Sequence, residues 1–387
     1  MKFAHMGDCH LGGWRYPELQ EVNMQSFRKA LDISIKEKAE MILISGDLFD
    51  SAYPPIEVLK QTFAEFKRLK DSGIPCFLIA GSHDYSSAGK TFLDVLEHAG
   101  FCTNVYQSEE TENKIILIPT MHKGYALYGY PGKKSGLEIQ DIKKLKLQDA
   151  PGFFKIFMLH TAIKEAIGNL PIESVSISEL PKADYYAASH LHVDFSKDNF
   201  YYSGPVFPNN FEELEELNYG QFYLVEANGF LKCTKVPIRI KEVLSVELNI
   251  DNTYTAAEKI ISELNGYNLE DKIILMKLKG TIKQGKISDI NFNQVEAFVK
   301  EKGAYVFIRS ISKLKTGEDK LELPEQIKDM HSVEDEIIKT YSAESPKDIE
   351  AKIPSLLRIL AMEKQEDEKN QIFQDRLLAE LNKLVNF

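Results

Sequence analysis

The sequence predicts an α/β protein: a four-layer α-β-β-α sandwich over residues 1–236, a small α/β domain over 237–315 and a helical segment over 316–387. Three observations carry this expectation. Apolar runs alternate with helix-spaced stretches through the first hundred residues, the signature of a parallel βαβαβ unit. From about Cys102 the runs become shorter and β-rich, which supplies a second sheet to face the first. Near Pro237 the alternation restarts with its own apolar faces. A chain of 387 residues also exceeds what one ordinary core accommodates.

Taken in order, Lys2–Met6 reads as a strand and Val22–Lys38 as a helix with Phe27, Ala30, Leu31 and Ile35 on one face. The run Met41–Ile44 is a second buried strand. Pro55–Lys70 is a second helix, with proline at its start and Val58, Phe63, Phe66 and Leu69 inward. Pro75–Ala80 is the third strand. The later runs are Lys114–Pro119, Ala126–Tyr130, Phe154–Leu159, Tyr185–Ala188, Phe200–Ser203 and Gln221–Glu226, all read as strands of the second half. In the following domain Ser245–Ile250, Lys272–Ile282 and Ala304–Ser312 are strands, and Thr255–Leu264 and Asp289–Lys302 are helices, each closed by a glycine. After Thr316 the chain turns polar and then helical at Val333–Tyr341, Asp348–Met362 and Glu368–Val385. The last two carry apolar stripes that a partner would cover.

Composition is that of a soluble globular protein, 43% hydrophobic and 27% charged. No run of about 18 apolar residues predicts a membrane span, and the N-terminus lacks the apolar core of a signal peptide. Cys9, Cys76, Cys102 and Cys233 form no C-x-x-C pair, so free thiols in a reducing cytoplasm are expected. The net charge of −11 is uneven. Residues 232–315 carry 15 basic and 10 acidic side chains, between two acidic ends, which leaves room for a phosphate-binding surface.

The chemistry collects at the ends of apolar runs. Asp8 and His10 stand two residues apart after the first strand, where an extended segment would point both at one centre. Gly46-Asp47 follows the second strand and Ser82-His83-Asp84 the third. His160 ends a later run, and His190 and His192 follow another. Strand C-terminal ends are where open α/β sheets place their sites. Carboxylate plus imidazole without thiolate suits Mn²⁺, Fe²⁺ or Zn²⁺. The candidate ligands exceed the needs of one tetrahedral ion, whereas two ions bridged by Asp47 would use them and hydrolyse phosphate esters. His83, with Asp84 to orient it, is the candidate proton donor or phosphate stabiliser. His98, His122 and His331 lie outside this set, and His5 reads as core or support. No G-x-G-x-x-G, P-loop or G-x-S-x-G signature is present.

Gly7-Asp8-Cys9-His10, Gly46-Asp47, Gly81-Ser82-His83-Asp84, Leu159-His160 and Ser189-His190-Leu191-His192 together resemble the calcineurin-type metallophosphoesterase family. The blocks cover residues 1 to about 205 in the family's order. Within it, Asp8–Gly12, Ser45–Asp50 and Tyr202–Pro205 resemble the archaeal meiotic-recombination-eleven/SbcD DNA repair nucleases. The resemblance implies a metallophosphoesterase sandwich and two Mn²⁺ ions. One ion would be held by Asp8, His10, Asp47 and His192, the other by Asp47, Ser82, His160 and His190, with His83 as acid or phosphate stabiliser. It implies 3′-to-5′ exonuclease action on duplex ends and endonuclease action on single strands, in double-strand break repair. It also implies a basic capping domain for DNA, a homodimer through helices flanking 55–70 and 88–98, and a coiled-coil ABC-type ATPase bound through residues 320–387. A cytoplasmic, nucleoid-associated protein follows.

Two positions depart from the pattern. Ser82 stands where the family has asparagine, and Ser189 where it has glycine. Ser82 keeps a third reading open, a metal-poor scaffolding subunit, beside the nuclease and a small-substrate phosphodiesterase or phosphatase.

Overall fold

The computed structural model describes residues 2–85, 91–111, 113–133, 136–168 and 172–316, together with Phe373, Arg376 and Leu377. The chain divides into two units, Met1–Leu314 and Lys315–Phe387. The expected helices at Val333–Tyr341 and Asp348–Met362 lie outside the described residues, as does all of Glu368–Val385 but those three positions, which are helical.

Two six-stranded sheets form the first unit's centre. The first runs in the order Leu231–Ile238, Gly220–Ala227, Lys2–Met6, Ile42–Ile44, Cys76–Leu78 and Thr103–Asn104. Its last four strands are parallel, and Gly220–Ala227 pairs antiparallel with the first strand, Phe3 opposite Val225. The second sheet has the order Ser196–Lys197, Phe200–Tyr202, Tyr185–Ser189, Phe154–His160, Tyr125–Tyr130 and Thr120–His122. Its central strands are parallel, with His160 beside Ser189. Phe3, Leu43, Phe77 and Val225 of the first sheet meet Tyr125, Leu127, Ile156, Met158 and Tyr185 of the second in one buried cluster. The two sheets are therefore packed face to face.

Helices cover the outer faces. Helix Pro17–Lys36 starts on its proline, whose missing N–H costs nothing in a first turn, so it begins a turn earlier than its apolar spacing alone indicates. With Ile56–Asp71 and Phe92–His98 it buries Phe27, Leu31, Phe66, Leu69 and Leu96 against Ile42, Ile44 and Leu78. Tyr128, Phe157, Leu159 and Tyr186 of the second sheet are covered by Ile142, Ile163, Val175 and Leu180. The layers are thus α-β-β-α.

Three assignments shift. The run Gln221–Glu226, expected among the strands of the second sheet, joins the first beside Lys2–Met6. Lys114–Leu117 pairs with Ser108–Thr111 and Leu145–Leu147 in a separate three-stranded sheet and does not join the second sheet. The first sheet runs on to Ile238, because Leu231–Ile238 pairs along its whole length with Gly220–Ala227. Lys232 and Lys235 therefore sit on the sandwich edge.

Strands Val243–Asn249, Ile273–Ile282 and Val306–Thr316 form their own sheet, with helices Ala256–Leu264 and Phe292–Glu301 on one face around Ile260, Leu264, Met276, Leu278 and Val295. On the other face Ile273, Leu275, Val306 and Ile308 meet Trp14, Leu19, Phe207, Phe211 and Leu214. The ion pairs Lys272–Glu242, Lys277–Glu215, Lys279–Glu247 and Arg309–Glu296 hold four of this region's basic side chains, and of their acids only Glu215 comes from outside the region and so reduces its basic excess. Among the described residues no helix is long and apolar enough to cross a membrane, and all four cysteines are free.

Candidate metal centre

The site residues lie at or just past strand ends: His160 closes its strand, and four of the others stand on backbone that leaves the extended conformation. Asp8, His10 and Asp47 have φ of 47°, 42° and 49°, and His190 has φ of 115°. Non-glycine residues seldom adopt these torsions, and each costs on the order of 1–3 kcal/mol. Asp8 and His10 therefore converge through two left-handed residues, not through the extended alternation expected of a strand. The segments are laced together: Asp8 N–H donates to Gly46 O (3.0 Å), and Cys9 and His10 N–H both donate to Asp47 O (2.8 and 3.0 Å). Gly46 keeps its place because a Cβ there would stand 2.4 Å from His160 Nδ1, at a φ of +110°.

The donor atoms converge. Candidate ligand atoms of Asp8, His10 and His192 lie within 4.8 Å of one another, and so do those of Asp8, Asp47 and His160. His10 Nε2 is 3.0 Å from His192 Nε2. His160 Nε2 is 3.1 Å from His190 Nδ1 and 3.2 Å from Asp47 Oδ2. Asp47 Oδ2 also lies 3.7 Å from His10 Nε2 and 3.4 Å from Ser82 Oγ, so it is the atom nearest both halves. Asp8 accepts the His190 N–H on both oxygens at 3.1 Å.

The far nitrogens of three rings are also held. His10 Nδ1 is 3.1 Å from Asp50 Oδ1, and His192 Nδ1 is 2.9 Å from Glu213 Oε1. His160 Nδ1 lies 2.9 Å from Ser189 Oγ and 3.2 Å from Ser45 O. Such partners keep the proton on Nδ1 and leave the Nε2 lone pair facing the cluster. Lone pairs facing each other at 3.0 Å repel unless a proton or cation sits between them. Two ligands at right angles, about 2.1 Å from one octahedral ion, stand about 3.0 Å apart. The donor set fits divalent ions.

Protonation points the same way. Burial opposes charge on His160, but the carboxylates of Asp47 and Asp8 outweigh it and raise its pKa to about 9. His192 likewise rises to about 9 against its burial, through Asp8 and Glu213. Burial and then the charge on His160 depress His190 to about 4. Burial alone would push the Asp47 carboxyl up, yet His160, with His10 and His83 beyond it, holds it well below the usual carboxylate range. Protons on His160 and His192 thus stand where cations would compete for the same lone pairs.

His83 differs. Its side chain is 47% exposed at the mouth of the site, its ring stacks edge-on to His10 at 4.7 Å, and its Nδ1 donates to Asp50 O at 2.8 Å. Asp84 does not orient it. The Asp84 carboxylate is buried and accepts from the backbone N–H groups of Leu48, Phe49 and Gly81, tying the second and third strand ends together. Burial and the neighbouring Asp47 raise its pKa to about 6. Asp84 is a backbone anchor, and Asp50 is the residue beside His83. Ser189 is accommodated because it ends a strand and faces Gly7, where any Cβ would stand 2.6 Å from Ser189 Cβ.

The model of the calcineurin-like phosphoesterase family matches residues 1–194. The chain belongs to the calcineurin-like phosphoesterase family. Among curated phosphoesterase relatives it is similar to "DNA double-strand break repair protein Mre11" of Sulfolobus acidocaldarius, 27% identical over 301 residues, covering 73% of this chain and 76% of that protein. It is 25% identical over 346 residues to the protein of the same name from Methanosarcina acetivorans, covering 84% of this chain and 52% of that one, about half its length. A Bacillus subtilis protein named "Uncharacterized metallophosphoesterase YhaO" is 28% identical over 205 residues, 50% of this chain and 48% of that protein. The family implies a divalent metal site, and the two phosphoesterase ligand groups supply residues for one.

Asp50, Asn209 and Glu213 are the site residues that sequence reasoning passed over. Asp50 carried a weak signal, three residues after Asp47. Asn209 and Glu213 carried none, since they stand in a polar turn and helix beyond the final His-x-His.

Proposed function

We propose that the protein is a Mn²⁺-dependent DNA nuclease that processes double-strand breaks. The observation that carries this reading is the pair of imidazole contacts, His10–His192 at 3.0 Å and His160–His190 at 3.1 Å, with Asp47 Oδ2 3.2 Å from His160 and 3.7 Å from His10, and one exposed histidine at the mouth. In this reading Asp8, His10, Asp47 and His192 hold one Mn²⁺, and Asp47, Ser82, His160 and His190 hold a second. Bound ions supply Lewis acidity to the phosphoryl group and a nucleophile from water at neutral pH. The chain's own residues do the rest. Asp50 O accepts a hydrogen bond from His83 Nδ1–H and so directs Nε2 outward, where a protonated imidazole donates to the leaving oxygen or to the phosphate. Asp47, held anionic, would offset part of the charge of the bound ions and leave a net positive centre to attract the phosphodiester anion.

DNA as substrate is supported by the names of the archaeal relatives, whose alignments extend past the phosphoesterase match at residue 194. We assign to it both 3′-to-5′ exonuclease and single-strand endonuclease action, with residues 237–315 as the capping domain. A homodimer through the helices near 55–70 and 88–98, and a coiled-coil ATPase bound by 320–387, complete the proposal. The test is His83→Ala. It should bind Mn²⁺ as the wild type does and lose about 10²–10⁴-fold in cleavage of duplex DNA. Cleavage by His83→Ala at the wild-type rate removes His83 from the mechanism. Turnover of a small diester without any action on DNA assigns the site to small substrates instead, and a chain that binds no ion is a scaffold.

A further inference from the structure

Helix Phe211–Leu217 belongs to none of the metallophosphoesterase motif blocks, yet it closes a circuit around half of the metal centre. Starting at one ring, His10 Nδ1 lies 3.1 Å from Asp50 Oδ1. The same oxygen accepts Asn209 Nδ2 at 3.0 Å. Asn209 N–H donates to Glu213 Oε2 at 2.8 Å, and Glu213 Oε1 lies 2.9 Å from His192 Nδ1. His192 Nε2 and His10 Nε2 close the loop at 3.0 Å. Asn209 has its amide nitrogen toward Asp50, since its oxygen there would oppose a carboxylate, and its Oδ1 is left buried without a partner among the described residues.

The helix is held on both sides. Asn210 caps it by accepting Glu213 N–H at 2.9 Å. Phe211 and Leu214 are buried with Trp14, Ile273 and Leu275, and Trp14 Nε1 donates to Pro208 O at 2.8 Å. Glu215 pairs with Lys277 and accepts from Ser245 Oγ, so the three-stranded domain grips the outer side. Glu213 therefore reaches His192 from a fixed base, as a pre-organised supporting group must.

The two halves of the centre differ in charge behind the ligands. His10 and His192 are both backed by carboxylates, which fix the Nδ1–H tautomer and make Nε2 a stronger donor. His160 is backed by a hydroxyl and a carbonyl, and position 82 offers a neutral hydroxyl. We infer that Glu213 and Asn209 are positioning residues for the half formed by Asp8, His10 and His192, and that this half binds its ion first and more tightly. This inference rests on the two-ion reading of the centre. It assigns no role in the chemical step to Glu213, which reaches the centre only through a ligand ring.

Calorimetric titration of Mn²⁺ into the metal-stripped full chain tests it. The wild type should take up two ions in resolved steps. Glu213→Gln, which keeps the shape and removes the charge, should weaken the tighter step about 10- to 100-fold and leave the weaker step within about 3-fold. Asn209→Ala should act in the same direction by a smaller factor, and Asp50→Asn should match Glu213→Gln. Unchanged circular dichroism and melting temperature without metal show that each variant is folded. Two equal wild-type steps, an unchanged tighter step in Glu213→Gln, or equal weakening of both steps each overturn the inference. A wild type that binds no ion instead removes the two-ion reading on which it stands.

Discussion

Replacing Gly132 by alanine tests whether the fold is built around the placement of His160. Gly132 lies outside the left-handed region, so alanine adds no torsional strain, only a methyl group. A Cβ there would stand 2.4 Å from His160 Cδ2, 3.1 Å from His160 Cγ and 3.0 Å from Ser82 N. Ordinary contact needs about 3.5 Å, so ring and backbone must separate by about 1 Å. The ring has nowhere to retreat. It is 1% exposed, its Nδ1 is held by Ser189 and Ser45, and its Nε2 faces Asp47. Overpacking of this kind costs about 1–3 kcal/mol of stability. A misplacement of about 1 Å at a reacting centre costs about 100-fold in rate. Gly132→Ala should therefore stay folded, bind one Mn²⁺ fewer than the wild type, and cleave DNA about 100-fold more slowly. Gly266→Ala is the control, because its Cβ would meet only Glu263 O, at 3.4 Å. Paired metal analysis and end-labelled DNA cleavage give the answer. Full metal content and a rate within about 3-fold of wild type in Gly132→Ala would refute the reasoning.

Ser82→Asn extends the side chain toward Asp47 Oδ2, now 3.4 Å from the hydroxyl, and offers an amide oxygen in its place. It should tighten the weaker Mn²⁺ step about 10-fold, read by titration, and an unchanged step means that position 82 contributes no ligand. His5 provides a pH prediction away from the metal ligands. It is buried between Tyr185 Oη (2.8 Å) and Ser45 Oγ (3.1 Å), and burial, partly offset by the Ala188 backbone, lowers its pKa to about 3. The unfolded chain takes up this proton near pH 6.5 and the folded chain does not, so the stability is complete above about 6.5 and lost as pH falls from there toward 3. The difference reaches on the order of 5 kcal/mol. Urea denaturation in chelator between pH 4 and 7 should show a shallower acid decline in His5→Gln than in the wild type, and parallel declines would sink the assignment.

The cluster of candidate ligands was legible in the sequence because its members stand at the ends of apolar runs, and strand ends are where such sheets expose side chains. Asp8, His10, Asp47 and His160 were visible for that reason. Their backbone was not, since left-handed torsions at Asp8 and His10 arise from the lacing of two loops and have no local glycine signal. The role of Asp84 was misread from adjacency. Its neighbour His83 turns toward Asp50, while Asp84 turns inward to three backbone N–H groups. Glu213 and Asn209 could not be found by pattern, because their partners are 21 residues back at His192 and at Asp50 in another loop. The same limit explains Lys114–Leu117, whose apolar alternation shows a strand but not which sheet receives it.

The central claim is that this cluster of imidazoles and carboxylates cleaves DNA phosphodiester bonds with divalent metal. The most direct measurement incubates the metal-stripped full chain with end-labelled duplex DNA, with and without added Mn²⁺, and counts bound ions in the same sample. The account predicts nucleotide release that requires Mn²⁺ and rises as the second ion binds. A fully loaded protein that leaves the DNA intact contradicts it.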